Sequence, residues 1–171
     1  MPDVATVREL AAHEWELFRA LRFRALTDSP DAFATTLADA RSRSDAEWRE
    51  QVAATCAAST RVLFVGVRGS DPVGLVFGRL EDAAPHIAHL GAMWVDPSAR
   101  GSGVGFALVH SVLAWARTRD ARRIELQVTE GNANAERLYA RAGFVATEET
   151  QPLRIGSPLR VRTMRLELAQ R

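Results

Sequence analysis

The residues with the clearest chemical meaning form a turn in which glycine occupies every second position. They are the run Arg100-Gly101-Ser102-Gly103-Val104-Gly105. In this glycine turn the backbone can pass close to a bound group, because glycine has no Cβ and accepts positive φ angles. The next residues have a helical pattern, so the first N–H groups of a helix and its positive end attract an anion there. The run predicts a phosphate-binding site, with Arg100 as a charged donor beside it.

Two other phosphate-binding motifs do not match the residues that follow the start of this turn. A P-loop continues with Lys and then Ser or Thr, whereas Gly105 is followed by Phe106 and Ala107. A dinucleotide motif needs a third small residue, and that position holds Phe106 or Leu108, depending on the first glycine counted. The turn therefore argues against a nucleotide triphosphatase and against a nicotinamide-dependent enzyme.

The elements that must position the turn follow from hydrophobic periodicity. A strand over residues 87–95 leads into it, and a helix over residues 104–115 follows it. Further helices are predicted at 14–26, 45–57 and 132–142, and further strands at 6–10, 61–67, 73–80, 124–128, 144–147 and 161–168. Residues 69–72 predict a hairpin turn. This order indicates an α/β or α+β fold with a partly antiparallel sheet covered by helices, and the 171 residues fit a single domain, 1–171.

Two segments together resemble the signatures of the GNAT superfamily of N-acetyltransferases. In the first, a strand ending Val-x-Pro precedes Arg/Gln-x-x-Gly-x-Gly/Ala, and the second reads Asn-x-x-Ala-x-x-Leu-Tyr-x-x-x-Gly-Phe. The resemblance implies the acyl-CoA N-acyltransferase fold, with a mixed, largely antiparallel seven-stranded sheet flanked by helices. The matching residues are Val95, Pro97, Arg100, Gly103, Gly105, Asn132, Ala135, Leu138, Tyr139, Gly143 and Phe144.

The resemblance also implies acetyl-CoA (coenzyme A) as the cofactor, with its pyrophosphate at the glycine turn. If strand 87–95 carries the family's bulge, its freed N–H groups polarise the thioester carbonyl. Asn132 is explained by a helix cap alone, and the resemblance adds a cofactor contact. The expected cofactor-binding residues are Met93, Trp94, Val95, Arg100, Gly101, Ser102, Gly103, Val104, Gly105, Asn132 and Tyr139.

Acetyl transfer to an amine needs an acid for the leaving thiolate and a route for the amine proton. The resemblance assigns the acid to Tyr139, the only tyrosine, although a tyrosine on an apolar helix face often only packs. Among Glu81, Asp82, His86 and His89, the resemblance favours His89 as the base, with Glu81 as the second choice. A water relay without either residue remains open.

Composition limits the partners and the location. The 22 basic and 21 acidic residues are spread along the chain, which argues against nucleic acid as a partner. No apolar run reaches the length of a membrane span, and a single cysteine, Cys56, permits neither an internal disulfide nor a cysteine metal cluster. We expect a cytoplasmic protein without a metal, in which Cys56 is a small buried residue and transfer needs no acyl-cysteine.

The function predicted from these residues is direct acetyl transfer to a primary amine of a small molecule or a peptide. The alternative is a non-catalytic acyl-CoA-binding sensor, which would keep the glycine turn but need neither Tyr139 nor His89. The segment from Leu21-Arg22 to Phe33 resembles one in a bacterial subset of the family that borders the acceptor site, without naming the acceptor. The sequence also leaves open the acyl-chain preference and whether the protein forms a homodimer.

Overall fold

The computed structural model describes residues 5–169, in which all strands join one sheet. Its strands are β1 (Ala5–Glu9), β2 (Arg61–Arg68), β3 (Asp71–Leu80), β4 (Ile87–Val95), β5 (Arg123–Thr129), β6 (Val145–Pro152) and β7 (Arg160–Glu167). They lie in the order β1-β2-β3-β4-β5-β7-β6, and only β4 and β5 pair in parallel. The prediction of a mixed, largely antiparallel seven-stranded sheet is confirmed.

The helices of this part of the chain cover both faces of the sheet. They are α1 (Trp15–Asp28), α2 (Leu37–Ser42), α3 (Asp45–Ala57), α4 (Val104–Arg117) and α5 (Ala133–Arg141). The bounds of α3 agree with the prediction because Ser44 and Glu47 cap each other's backbone N–H groups. The sequence pattern does not predict α2, since six residues are too few to show a period, although Thr36 and Asp39 form the same kind of cap.

Two strand predictions need correction. The hairpin between β2 and β3 turns on Gly69 and Ser70 alone, and Asp71 and Pro72 belong to β3. Strand β6 continues to Pro152 rather than ending at residue 147. It is a polar edge strand with a register shift between residues 146 and 150, so it lacks the apolar alternation that reveals a strand in sequence.

Helix α4 packs unusually close to the sheet because glycines line its path. Gly66 and Gly74 are cross-strand partners on β2 and β3. A Cβ on Gly66 would lie 2.8 Å from Val104 Cγ1, and one on Gly74 would lie 2.9 Å from Leu108 Cδ1. Since the glycine turn leads directly into α4, this close approach also fixes the height of the turn above the sheet.

A β-bulge reverses which side chains of β4 point to which face. Leu90 packs with α4 in one core, whereas Ala92 and Trp94 pack with α1 and α3 in the other. Ala92 has a φ of 50°, and between the pairs Phe77–Gly91 and Leu75–Trp94 strand β4 contains one extra residue. No helix in residues 5–169 combines the length and apolar character needed to cross a membrane.

We expect Gly74→Ala to lower the free energy of unfolding by about 1–3 kcal/mol, the usual cost of overpacking. Its Cβ would also lie 3.0 Å from the Trp94 carbonyl oxygen, which is held in a strand and cannot move away. Gly91→Ala is the matched control, because a Cβ there meets nothing within 4 Å. Urea unfolding of both variants checks this, and equal stabilities would contradict the close packing of α4.

Candidate functional site

A narrow cleft opens where β4 and β5 separate. The two strands pair only from Ile87 to His89 and from Arg123 to Glu125, so the rest of each strand runs without the other. One wall comes from α5 and another from the segment before α2. The cleft is lined by Ala32, Phe33, Leu90, Gly91, Ala92, Met93, Gln127, Val128, Thr129, Asn132, Ala135 and Tyr139.

The glycine turn has the backbone that its sequence predicts. Gly101 and Gly103 have φ angles of 77° and 92°, in the left-handed region that other residues adopt only with strain. Gly103 caps α4, whose first N–H groups have no acceptor within the helix. Gly105 lets α4 approach α5 and β4, since a Cβ there would lie 3.3 Å from Leu138 and 3.4 Å from Met93. This arrangement fits the phosphate groups expected from the sequence.

The bulge supplies the freed backbone groups that were expected on β4. Ala92 and Met93 have no partner in the β3 register, and β5 has already separated from β4 at this level. Met93 lines the cleft, whereas Trp94 pairs with Leu75 and is buried with α1. The bulge therefore frees Ala92 and Met93 from strand pairing, while Trp94 is held in the ladder.

Asp96 fixes the start of the glycine turn. Its carboxylate accepts the Ser98 hydroxyl at 2.6 Å and the Ser98 N–H at 2.9 Å, and it binds the Arg24 guanidinium of α1 at 2.6 Å. The bonds from Ser98 and Arg24 lower the pKa of this carboxyl to about 2, so it is charged at all physiological pH values. Helix α1 is thereby tied to the end of β4.

Arg100 has protein partners rather than a free guanidinium. Its Nε donates to the Val95 carbonyl oxygen at 3.0 Å, and its Nη2 pairs with the Asp28 carboxylate. Asp28 also accepts the Trp94 indole N–H at 2.9 Å. Burial raises the pKa of Asp28, but the bonds from Ser29, Trp94 and Arg100 outweigh it, so its pKa is lowered. In this structure Arg100 holds α1 against β4, and its contact with phosphate stays a prediction.

Tyr139 is buried in the core beside the cleft. Its ring stacks edge-on against Phe144, with the ring centroids 6.0 Å apart, and its hydroxyl has no hydrogen-bond partner among residues 5–169. Burial raises the pKa of this phenol above its ordinary value near 10. Asn132 accepts the Ala135 N–H at 3.2 Å, which confirms the predicted cap of α5.

His89 and Glu81, which were predicted as alternatives, are joined to each other. His89 Nε2 and Glu81 Oε2 are 2.7 Å apart, and Arg79 Nη1 lies 3.5 Å from the same oxygen. His89 belongs to the last paired position between β4 and β5, directly before the cleft residue Leu90. Neither His89 nor Glu81 is among the residues that line the cleft, whereas Tyr139 lies on its wall.

The other candidate residues lie apart from the cleft. Asp82 and His86 are exposed, and Cys56 is exposed rather than buried, with its thiol donating to the Leu10 carbonyl at 3.2 Å. The last turn of α3 points this cysteine outward, so the expectation of a buried thiol is wrong. No group of three His, Cys, Asp or Glu side chains that could hold a metal occurs in the described part of the chain.

Sequence reasoning missed the residues that hold the turn. Asp28 and Arg24 reach the end of β4 from 72 positions away, and no local pattern predicts such a contact. Thr129 donates to the Asp31 carbonyl at 2.7 Å, which brings Phe33 over the cleft. The resemblance of the segment from Leu21-Arg22 to Phe33 points to this wall, although not to its hydrogen bond with Thr129.

A family model described as the Acetyltransferase (GNAT) family matches residues 15–144. A mycothiol acetyltransferase of Thermobispora bispora is 32% identical over 133 residues, which are 75% of this chain and 42% of that protein. One from Salinispora arenicola is 32% identical over 152 residues, or 84% of this chain and 46% of that protein. The chain spans less than half the length of these curated relatives.

Solved structures share the fold at low sequence identity. An acetyltransferase of the GNAT family from Streptococcus pneumoniae superimposes with a TM-score of 0.82 and 19% identity, covering 96% of this chain and 99% of that one. A protein from Salmonella typhimurium, whose structure contains its cofactor acetyl-CoA, has a TM-score of 0.79 and 18% identity and covers 98% and 95%. The similarity confirms the expected fold.

Gly103→Ala tests the glycine turn. An L side chain at a φ of 92° costs about 1–2 kcal/mol, and relief of that strain turns the first N–H groups of α4 away from the ligand. Gly156→Ala is the control, because its φ of 77° is equally left-handed but lies in the loop after β6. Both variants should lose stability in urea, but only Gly103→Ala should lose coenzyme A affinity in calorimetry. Equal affinities would contradict the assignment.

Proposed function

The chain belongs to the acetyltransferase (GNAT) family, and on that premise we propose that it transfers acetyl from acetyl-CoA directly to a primary amine of a small molecule or a peptide. The observation that carries the proposal is the cleft between β4 and β5. Tyr139 lies on its wall, and the bulge of β4 lies at its side. The start of α4 approaches the cleft residue Met93 at Gly105. A direct transfer needs no residue beyond these and the His89–Glu81 pair.

Acetyl-CoA is the cofactor of this family, and it supplies a thioester whose carbonyl carbon accepts an amine and whose sulfur leaves as a thiolate. The glycine turn and the N–H groups of α4 would hold its pyrophosphate. The backbone N–H group of Met93, which the bulge frees from strand pairing, would polarise the carbonyl oxygen, whereas Trp94 and Val95 pair with Leu75 and Gly74. Asn132 opens α5 at the same cleft and is our further candidate for a cofactor contact.

Tyr139 would donate the proton that the leaving sulfur needs. A thiol has a pKa near 8.5, and a phenol with a pKa above 10 keeps its proton until the thiolate forms. The hydroxyl has no protein acceptor among the described residues, so its proton is free for a group in the cleft. This absence favours an acid over a tyrosine that only packs.

His89 would receive the proton of the amine, directly or through water. Because Nε2 is bonded to the Glu81 carboxylate, neutral His89 carries its proton there and leaves the lone pair on Nδ1. Glu81 then acts as the residue that orients the ring. The two candidates of the sequence become one functional unit, in which His89 is the base and Glu81 is a positioning residue.

The names of the curated relatives suggest a thiol-containing small molecule as one acceptor to test. Those relatives are described as mycothiol acetyltransferases, and this chain matches less than half of each. We therefore propose the wider class of primary amines for this chain. A cytoplasmic location and dimerisation stay predictions.

Tyr139→Phe should lower kcat by about 100-fold or more, the usual contribution of a general acid. Coenzyme A affinity should stay within about twofold, because the ring and its contact with Phe144 remain. Thiol release with a panel of amines measures kcat, and calorimetry measures affinity. Arg137→Gln, on the exposed side of α5, is the control. An unchanged kcat would remove Tyr139 from the mechanism.

His89→Ala should remove the low-pH limb of the kcat/KM profile and lower its plateau by about 100-fold. Glu81→Gln should act through His89, so that the double variant is no slower than His89→Ala alone. His86→Ala, an exposed histidine near the start of β4, serves as the control. A pH profile that His89→Ala leaves unchanged would favour the water relay.

A further inference from the structure

Helix α1 buries a positive charge that no acidic group among residues 5–169 neutralises. The Arg22 side chain is only 9% exposed, and its Nη1 is buried without a hydrogen-bond partner. Its guanidinium lies 5.0 Å from the ring of Phe33. No carboxylate pairs with it among residues 5–169, in contrast to Arg19, one turn earlier, which pairs with Asp45.

The contact with Phe33 does not compensate for this burial. Even in a dry environment, a cation–π contact contributes less free energy than the removal of one charge from water costs. Burial, together with the nearby Arg43, lowers the pKa of Arg22 to about 10. The guanidinium is still charged at neutral pH. It therefore lacks an anionic partner in the part of the chain that the structure describes.

The position of Arg22 connects this missing anion with the cleft. Phe33, on which the guanidinium stacks, is one of the residues that line it. Thr129 and Arg154 hold this segment by donating to the carbonyl oxygens of Asp31 and Phe33 at 2.7 and 2.8 Å. The wall is thus anchored to β5 and to the loop after β6, with the Arg22 charge directly behind it.

Two further arginines lie near this wall but differ from Arg22. Arg154 binds the Phe33 carbonyl and lies near the Asp39 carboxylate, which is bonded to Thr36 at the start of α2. Arg43 binds the Gln51 side chain and the Glu47 carbonyl and lies near the Glu47 carboxylate. Both therefore have a carboxylate nearby, whereas none acts on Arg22 among residues 5–169.

We propose that the acceptor is a small amine that carries a carboxylate close to its amino group, and that this carboxylate pairs with Arg22 beside Phe33. A carboxylate matches the planar guanidinium because two parallel N–H···O bonds form. The inference rests on the proposed function and narrows it to amino-acid-like small molecules. A peptide amino terminus has an amide at that position and would not neutralise Arg22.

Ligand binding tests the proposal independently of catalysis. The probes are the protein α-amino acids and their neutral α-carboxamides, added to the full chain with coenzyme A, and the readout is the change in Tm. At least one acid should bind about tenfold or more tightly than its carboxamide, the minimum expected of a charge-assisted pair. If every acid binds no better than its carboxamide, the proposal is wrong.

Arg22→Met and Arg19→Met separate recognition from folding. Arg22→Met removes an uncompensated buried charge, so the Tm of the variant without ligand should equal or exceed that of the unaltered protein. The ratio of the affinity for the acid to the affinity for its carboxamide should fall to about one. Arg19→Met should keep the preference for the acid. A lower Tm with an unchanged preference would make Arg22 a structural residue and overturn the proposal.

The same panel distinguishes this failure from a failure of the proposed function. Thiol release from acetyl-CoA is measured with each acid and each carboxamide. Turnover without a preference for acids overturns only the role of Arg22. Acid-selective binding that Arg22→Met abolishes, without turnover of any amine, supports the anion site and overturns the transferase.

Discussion

Beyond His89 and Glu125, strands β4 and β5 separate and no longer pair with each other. A sheet that separates in its middle leaves two inner edges with unpaired backbone groups, which are costly to bury without partners. The bulge at Ala92 adds to this cost on β4. Helix α5 and the segment before α2 line this gap.

Contacts between segments that are distant in sequence position the helices around this gap. Helix α4 starts next to it because Gly66 and Gly74 allow a close approach to the sheet. Helix α1 is locked to the end of β4 through Asp28, Arg24 and Asp96, and the bulge is what turns Trp94 toward Asp28. Ion pairs of this kind contribute little to stability when exposed. Here they set the position of the turn.

Much of this arrangement could be predicted from sequence because it is local. The left-handed glycines, the cap at Asn132 and the apolar stripe of α4 each depend on neighbours within a few residues. The second half of the polar edge strand β6 and the short α2 lack a period, so the sequence does not predict them. The link between His89 and Glu81 was not predicted, because it depends on the register of β3 and β4, which no local pattern reveals.

Arg22 Nη1 is one of three buried side-chain atoms without a hydrogen bond among residues 5–169, with Trp48 Nε1 and Arg123 Nε, and Tyr139 lines the cleft. Tyr139 belongs to the core under α4 and α5, and Arg22 belongs to the opposite face, under α1 and α3. Buried polar groups are normally hydrogen-bonded, so each unpaired one needs a cause. Both lie at or behind the walls of the same cleft, one on each side of the sheet. A ligand that passes between β4 and β5 would satisfy both, with its thioester on the side of Tyr139 and an anionic acceptor on the side of Arg22.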